Sequence, residues 1–327
     1  MSQEPNRAPE YPESISNQRP YYEDEIDLRE LFMVLWKDKL WIVGITFCAA
    51  IISVAVALWL PNIYRAEALL AADEEGGGGL SALASQYGGL ASLAGISLPA
   101  GGSSEKAIGL AKLQSRQFLA GFVERHNILP ELMAAESFDW ITEELSYDKK
   151  IYDVDEQIWT RKVRAPLESK PSAQESLVEF REILAVSEDN ETGFITISVE
   201  HLSPIVAQQW VTWMVNDVNE EMMLDATAEA QQSIDYLTDQ LKNTQVVALE
   251  EVFYSLIEEQ TKTIMLANSR PEYLFKTIDP AVAPEERSSP SRALICVLGT
   301  LLGGMLSVLG VLILHYVSKP EGAVQRS

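Results

Sequence analysis

Residues 40–60 read LWIVGITFCAAIISVAVALWL, 21 residues without an Asp, Glu, Lys, Arg or His. A helix of that length reaches about 31 Å, one hydrocarbon core. A second run, residues 293–317, is also free of Asp, Glu, Lys and Arg and has His315 near its end. Its 25 residues can cross a bilayer with some tilt. Uninterrupted apolar runs this long are rare in soluble cores. Ala55-Val56-Ala57 resembles a cleavage site, but the block starts at residue 40. It also exceeds a signal-peptide core of about 7–15 residues. An uncleaved membrane anchor is therefore predicted. Trp36, Trp41, Trp59 and Tyr64 bracket the first span and Tyr316 marks the far end of the second, as interfacial aromatics do.

Basic residues set the predicted orientation. Arg29, Lys37 and Lys39 precede the first span, and Arg65 closely follows it. The N-terminus is thus read as cytoplasmic. The second span returns the chain, which puts Lys319 and Arg326 inside as well. Arg287 and Arg292 oppose this at the second flank, so the first flank carries the assignment. The predicted organisation is a cytoplasmic segment 1–39, a transmembrane helix 40–60, a periplasmic domain 61–292, a second transmembrane helix 293–317 and a cytoplasmic tail 318–327.

Composition narrows the function. The chain has 327 residues, 25 Lys+Arg, 48 Asp+Glu and a net charge of −23. Residues 61–292 hold 18 Lys+Arg against 38 Asp+Glu, so they carry nearly all of that charge. Such a surface opposes nucleic acid, whose phosphates need basic partners. Two cysteines, Cys48 and Cys296, both in the spans, and three histidines supply neither a disulfide framework nor a metal centre. No cofactor or metal is expected.

Between the spans, residues 63–72 (IYRAEALLAA) read as a strand. Residues 74–104 are Gly-rich but too apolar for a plain linker, and they lack the Gly-Lys-Ser/Thr of a phosphate loop. Residues 105–126 have helical periodicity, and 132–172 read as irregular around Trp140, Tyr147, Tyr152 and Trp159. Residues 183–187 and 194–200 form a strand–turn–strand signal across 190–193. Ser203-Pro204 then opens a long helical pattern, free of Pro and Gly to about residue 267. Unbroken, it would span about 96 Å and need a partner to cover its apolar stripe. The alternative is two helices with an unmarked turn, which a polar interval such as Gln231-Gln232-Ser233 could hide. Residues 273–278 (YLFKTI) read as a strand returning beside the early ones.

The order of these features resembles the Wzz-type chain-length determinants, the polysaccharide co-polymerases of Gram-negative inner membranes. The resemblance runs over residues 26–317. It is carried by Ile26-Asp27-Leu28-Arg29-Glu30-Leu31, by 90–98 (LASLAGISL), by 193–219 and by 279–292 (DPAVAPEERSSPSR). Pro280, Pro284 and Pro290 in the last segment match the family's proline-rich motif. Proline fixes φ and removes a backbone donor, giving a stiff lead-in to the membrane. The resemblance implies an α+β membrane protein, with two transmembrane helices flanking a periplasmic α/β base and a long protruding helix. It further implies a ring-like homo-oligomer, an octamer, that sets O-antigen chain length on lipopolysaccharide beside a Wzy-type polymerase, without an enzymatic activity of its own.

Small residues recur at four-residue steps in both spans: Gly299, Gly303 and Ser307, with Gly304 alongside, and Ala49, Ser53 and Ala57. Such spacing permits close helix approach, so the spans are expected to pack on each other or on a partner's helices. Two other function classes are weaker. A periplasmic glycosyltransferase or hydrolase would need two carboxylates placed across one bond, and Glu143, Asp153, Asp155 and Glu188 are candidates by abundance alone. A two-span sensor would need a cytoplasmic output domain, for which the 39 residues before the first span and the ten after the second are short. A co-polymerase for capsule, enterobacterial common antigen or another exported glycan is the nearest alternative.

Overall fold

The computed structural model describes residues 28–72, 103–243 and 246–318. Residues 74–102, including the Gly-rich 90–98, lie outside that range, as do Ile26, Asp27, Lys319 and Arg326. The chain divides into two compact units, residues 58–291 and residues 1–57 with 292–327.

The larger unit is built on a four-stranded antiparallel sheet. Strand β1 is Tyr64–Ala72. It is followed by helices α3 (Ser103–Leu113), α4 (Arg116–Arg125) and α5 (Leu129–Ala134); α1 and α2 belong to the smaller unit. The helical pattern over 105–126 is thus two helices, because the Ser115 hydroxyl accepts from Phe118 N–H and starts a new one. Two small hairpins follow, β2 (Ala135–Asp139) with β3 (Glu144–Tyr147), and β4 (Tyr152–Asp153) with β5 (Ile158–Trp159). They occupy the stretch expected to be irregular. Helix α6 (Ala173–Ile183) opens on a capping box, in which Ser172 and Glu175 satisfy each other's backbone N–H. Arg161 grips the Glu175 carboxylate at 2.6 and 2.9 Å. With the Ser172 N–H this holds Glu175 down at about 2.

Strands β6 (Leu184–Glu188), β7 (Ile195–His201) and β8 (Phe275–Asp279) complete the sheet, in the order β6-β7-β1-β8. The β6–β7 turn closes on Gly193 at φ +73°, a conformation glycine adopts without strain. The first strand in sequence is a central strand, paired with β7 from Tyr64↔His201 to Leu70↔Ile195 and with β8 from Leu69↔Asp279 to Ala72↔Phe275. Alternation puts Ala66, Ala68, Leu70, Ile195, Ile197 and Val199 on one buried face. The core that includes them also holds Trp210, Val211, Met214 and Val218 of the long helix, and Phe118, Phe122 and Phe180.

The long helical pattern is two helices, α7 (Pro204–Asn243) and α8 (Val247–Ser269). The break falls just after Asn243, not at Gln231-Gln232-Ser233, which stay helical within α7. Leu237 and Leu241 of α7 pack on Leu249, Val252, Phe253 and Leu256 of α8. The stripe that needed a partner is therefore covered by the chain's own return, and the pair is antiparallel. Buried Asn219 of α7 closes the loop at the other end. Its Oδ1 accepts from Leu274 and Phe275 N–H, and its Nδ2 donates to the Phe275 carbonyl at 2.9 Å. Ser203 caps α7, its Oγ accepting from Val206 N–H. Gly109 of α3 faces Leu274 and Phe275 so closely that a Cβ there would overlap the Leu274 side chain.

A row of acids on α7 faces α3 and α4. Asp217 binds Arg125 at 2.9 Å and His126 at 3.0 Å, and Glu221 binds Arg125 and Lys112. Lys112 also pairs with Asp225. One turn further the matching stops. Burial, with Glu229 nearby, raises the Glu105 pKa, and burial beside Glu105 and Glu229 pushes Tyr273 to about 12.

Candidate functional site: the paired membrane helices and the proline-rich approach

The smaller unit contains α1 (Leu28–Lys37), α2 (Lys39–Trp59) and α9 (Arg292–Ser318). α2 and α9 are both long and apolar enough to cross a membrane. They run antiparallel, and their small residues meet. Ser53 lies against Gly299, Ala49 against Gly303, and Thr46 against Ser307. Each four-residue step on α9 is answered by a step of about one turn on α2, so one face of each helix is shared continuously. Ala57, Ser53 and Ser307 are buried there. A methyl group at Gly303 would overlap that of Ala49, and one at Gly299 would come within 2.7 Å of Ser53 Cβ. Gly304 is different. A methyl there would sit 3.8 Å from Thr46, an ordinary contact, so close approach does not depend on it.

Hydroxyl groups in a bilayer have no water to bond, so each must find a partner in the protein. Thr46 Oγ1 donates to the Ile42 carbonyl at 2.8 Å and Ser307 Oγ to the Gly304 carbonyl at 2.7 Å, both within their own helix. Ser53 Oγ instead crosses the interface and donates to the Ile295 carbonyl at 2.8 Å. Thr46 was not among the residues picked out by sequence. Its signal is weak, since it extends the Ala57, Ser53, Ala49 series by one further turn at a step of three.

The proline-rich approach belongs to the larger unit. Pro280 is exposed, while Pro284 and Pro290 are half-buried, and the Ser289–Pro290 bond is cis. The segment is fastened at two places. Gln208 Nε2 donates to the carbonyl of buried Ala281 at 3.3 Å. Ile63 N–H donates to the Ser289 carbonyl and Ser288 N–H to the Ile63 carbonyl, both at 2.9 Å. The chain leaving residue 60 and the chain arriving at residue 292 are thus stitched together at one bridge. Ile63, Ser288 and Ser289 carry no sequence signal for this, because a single bridge has no periodicity.

The carboxylates considered for catalysis have structural surroundings. Glu143, at φ +55°, sits in the β2–β3 turn. The Asp153 carboxylate accepts from Asp155 and Glu156 N–H in the β4–β5 turn. Exposed Asp155 lies 3.9 Å from Lys149, and Glu188 pairs with Lys106 at 2.7 Å. Among the described residues, no group of three or more His, Cys, Asp or Glu is arranged to hold a metal ion.

Comparison with known proteins follows the same two ends of the chain. The family model for Wzz, chain length determinant protein, matches residues 24–125. The model for GNVR, a G-rich domain on putative tyrosine kinase, matches residues 239–316. A solved full-length bacterial polysaccharide co-polymerase is 14% identical, covering 90% of this chain and all of its own, with a TM-score of 0.41. A fragment of WzzB, polysaccharide co-polymerase from Salmonella Typhimurium, is 14% identical over 70% of this chain and all of its own, with a TM-score of 0.29. No curated protein sequence matches. Together the two family models take in more than half of the residues, including both membrane helices, and the chain belongs to the Wzz chain length determinant family.

Proposed function

We propose that this protein is a non-enzymatic regulator of O-antigen chain length on lipopolysaccharide. It acts in the Gram-negative inner membrane with both termini in the cytoplasm and residues 61–292 in the periplasm. The working form is a ring-like homo-oligomer, an octamer, beside a Wzy-type polymerase and its lipid-linked polysaccharide. The observation that carries this reading is the pair of family matches that take in both membrane helices. The acidic base supports it, since it repels phosphate-bearing glycolipid and leaves growing sugar chains free to pass. Ala49, Ser53, Ala57, Gly299, Gly303 and Ser307 hold the two spans together, with Gly304 on the flank. Pro280, Pro284 and Pro290 stiffen the approach to the second span.

The test is a polysaccharide gel of deletion and complemented strains. Deletion keeps polymer synthesis and loses its modal length, and complementation restores the mode. Loss of all polymer, or an unchanged length distribution, overturns the reading. A mode lost from capsule or another exported glycan, with O-antigen intact, would assign the protein to that polymer instead.

A further inference from the structure

The end of the base where the chain meets its membrane helices carries exposed apolar side chains from separate segments. The β2–β3 turn presents Trp140, 50% exposed, and Ile141, 93% exposed. Val282, 68% exposed, stands in the proline-rich approach beside Ala281, which is anchored to Gln208 near the start of α7. The tip is held in place. Trp140 Nε1 donates to Tyr64 Oη at 2.8 Å, and the Trp140 ring packs edge-on against both Tyr64 and Phe138. Asp139 accepts from Ile141 N–H at 2.8 Å and Glu143 turns the chain at φ +55°. A fixed turn that keeps an isoleucine in water gains nothing from that exposure within the base itself.

Chain connectivity says what lies near. Tyr64 follows Trp59, the last residue of α2, by five residues, and Ser289 of the Ile63 bridge precedes Arg292, the first of α9, by three. At no more than about 3.6 Å per residue, Tyr64 stays within roughly 18 Å of one helix end, and the bridge nearer still to the other. An indole with an apolar body and a bonded N–H is suited to the boundary between headgroups and acyl chains.

We infer that Trp140, Ile141 and Val282 form an interfacial anchor, seated in the lipid headgroup layer of the membrane that α2 and α9 span. The inference rests on reading those helices as membrane spans. The carboxylates of Asp139, Glu143 and Glu144 around the tip keep the seating shallow and favour zwitterionic over anionic lipid.

The experiment uses the full chain with Cys48→Ala and Cys296→Ala, reconstituted in phosphatidylcholine vesicles. Single Ile141→Cys, Val282→Cys, Tyr254→Cys and Leu306→Cys variants carry an environment-sensitive fluorophore. The vesicles contain a quencher placed either high or deep on the acyl chain. Interfacial seating lies about 5–10 Å into the headgroup–acyl boundary, so the probes at 141 and 282 are quenched at least about twofold more by the shallow quencher than the probe at 254 on α8. The position 306 probe, within α9, reports the span itself. If it is quenched while those at 141 and 282 match 254, the anchor is refuted and the spans stand. If it is not quenched, the spans fail and the anchor with them. A blue-shifted probe at 141 that lipid quenchers do not reach means the tip is covered by protein, a second copy included, and also refutes the anchor.

Discussion

His201 sits where β7 ends and the capped start of α7 begins. Its Nδ1 accepts from Ser203 N–H at 3.0 Å and its Nε2 donates to the Glu131 carbonyl at 3.1 Å, which assigns the neutral Nε2–H tautomer. Burial lowers its pKa below the ordinary 6.5, and the Glu131 carbonyl opposes this only in part. Protonating Nδ1 would set it against the Ser203 N–H. The sign follows from the lowered value: the stabilisation is complete above pH 6.5 and is lost as pH falls through the folded-state pKa. Thermal unfolding of the detergent-solubilised chain between pH 7.5 and 5 should show it. His201→Gln should be less stable than wild type at pH 7.5, and the gap should narrow as pH falls; a gap that stays constant would remove the histidine from the account. Little of this was legible in the sequence. Ser203 and Pro204 announce the helix start, but whether a nearby histidine is buried depends on α5, about 70 residues earlier.

At the scale of elements, the α2–α9 interface separates steric fit from hydrogen bonding. An interhelical hydrogen bond in a membrane averages about 0.6 kcal/mol, so Ser53→Ala should leave the pair assembled. Gly303→Leu must displace Ala49 and should part the helices. With Thr46→Cys and Ser307→Cys as reporters, whose hydroxyls lie 3.4 Å apart in the native chain, oxidation should form an intramolecular disulfide. Formation should survive Ser53→Ala and fall sharply with Gly303→Leu; equal formation in both would show that glycine is not needed at this face. The interface was legible because the four-residue recurrence of small residues is local. The turn after Asn243 was not. It uses neither Pro nor Gly, and the apolar stripe continues across it with helical spacing, so only the contact between the two arms distinguishes a hairpin from a rod. α6 is the opposite case, since Ser172 and Glu175 are a capping box visible in the sequence ahead of Leu177 and Phe180.

For the molecule as a whole, the sheet ties together distant parts of the chain. β1 lies between β7 and β8, so Leu70 is paired with both Ile195 and Thr277. Period-two alternation marked β7, while the alanines of β1 left only a weak signal, and neither pattern could state which strands would be neighbours. A chain ended after residue 272 lacks β8, and one ended after residue 291 retains it. Limited proteolysis should cut the first within residues 64–72 and spare the second; equal resistance would mean that β8 is dispensable for closing the sheet. Synthesis at about 5–20 residues per second leaves β1 waiting some 10–40 s for its second neighbour. Through that interval the earliest strand offers an open edge to whatever chaperone, protease or sister chain is at hand, and the last strand to be made decides whether the earliest is kept.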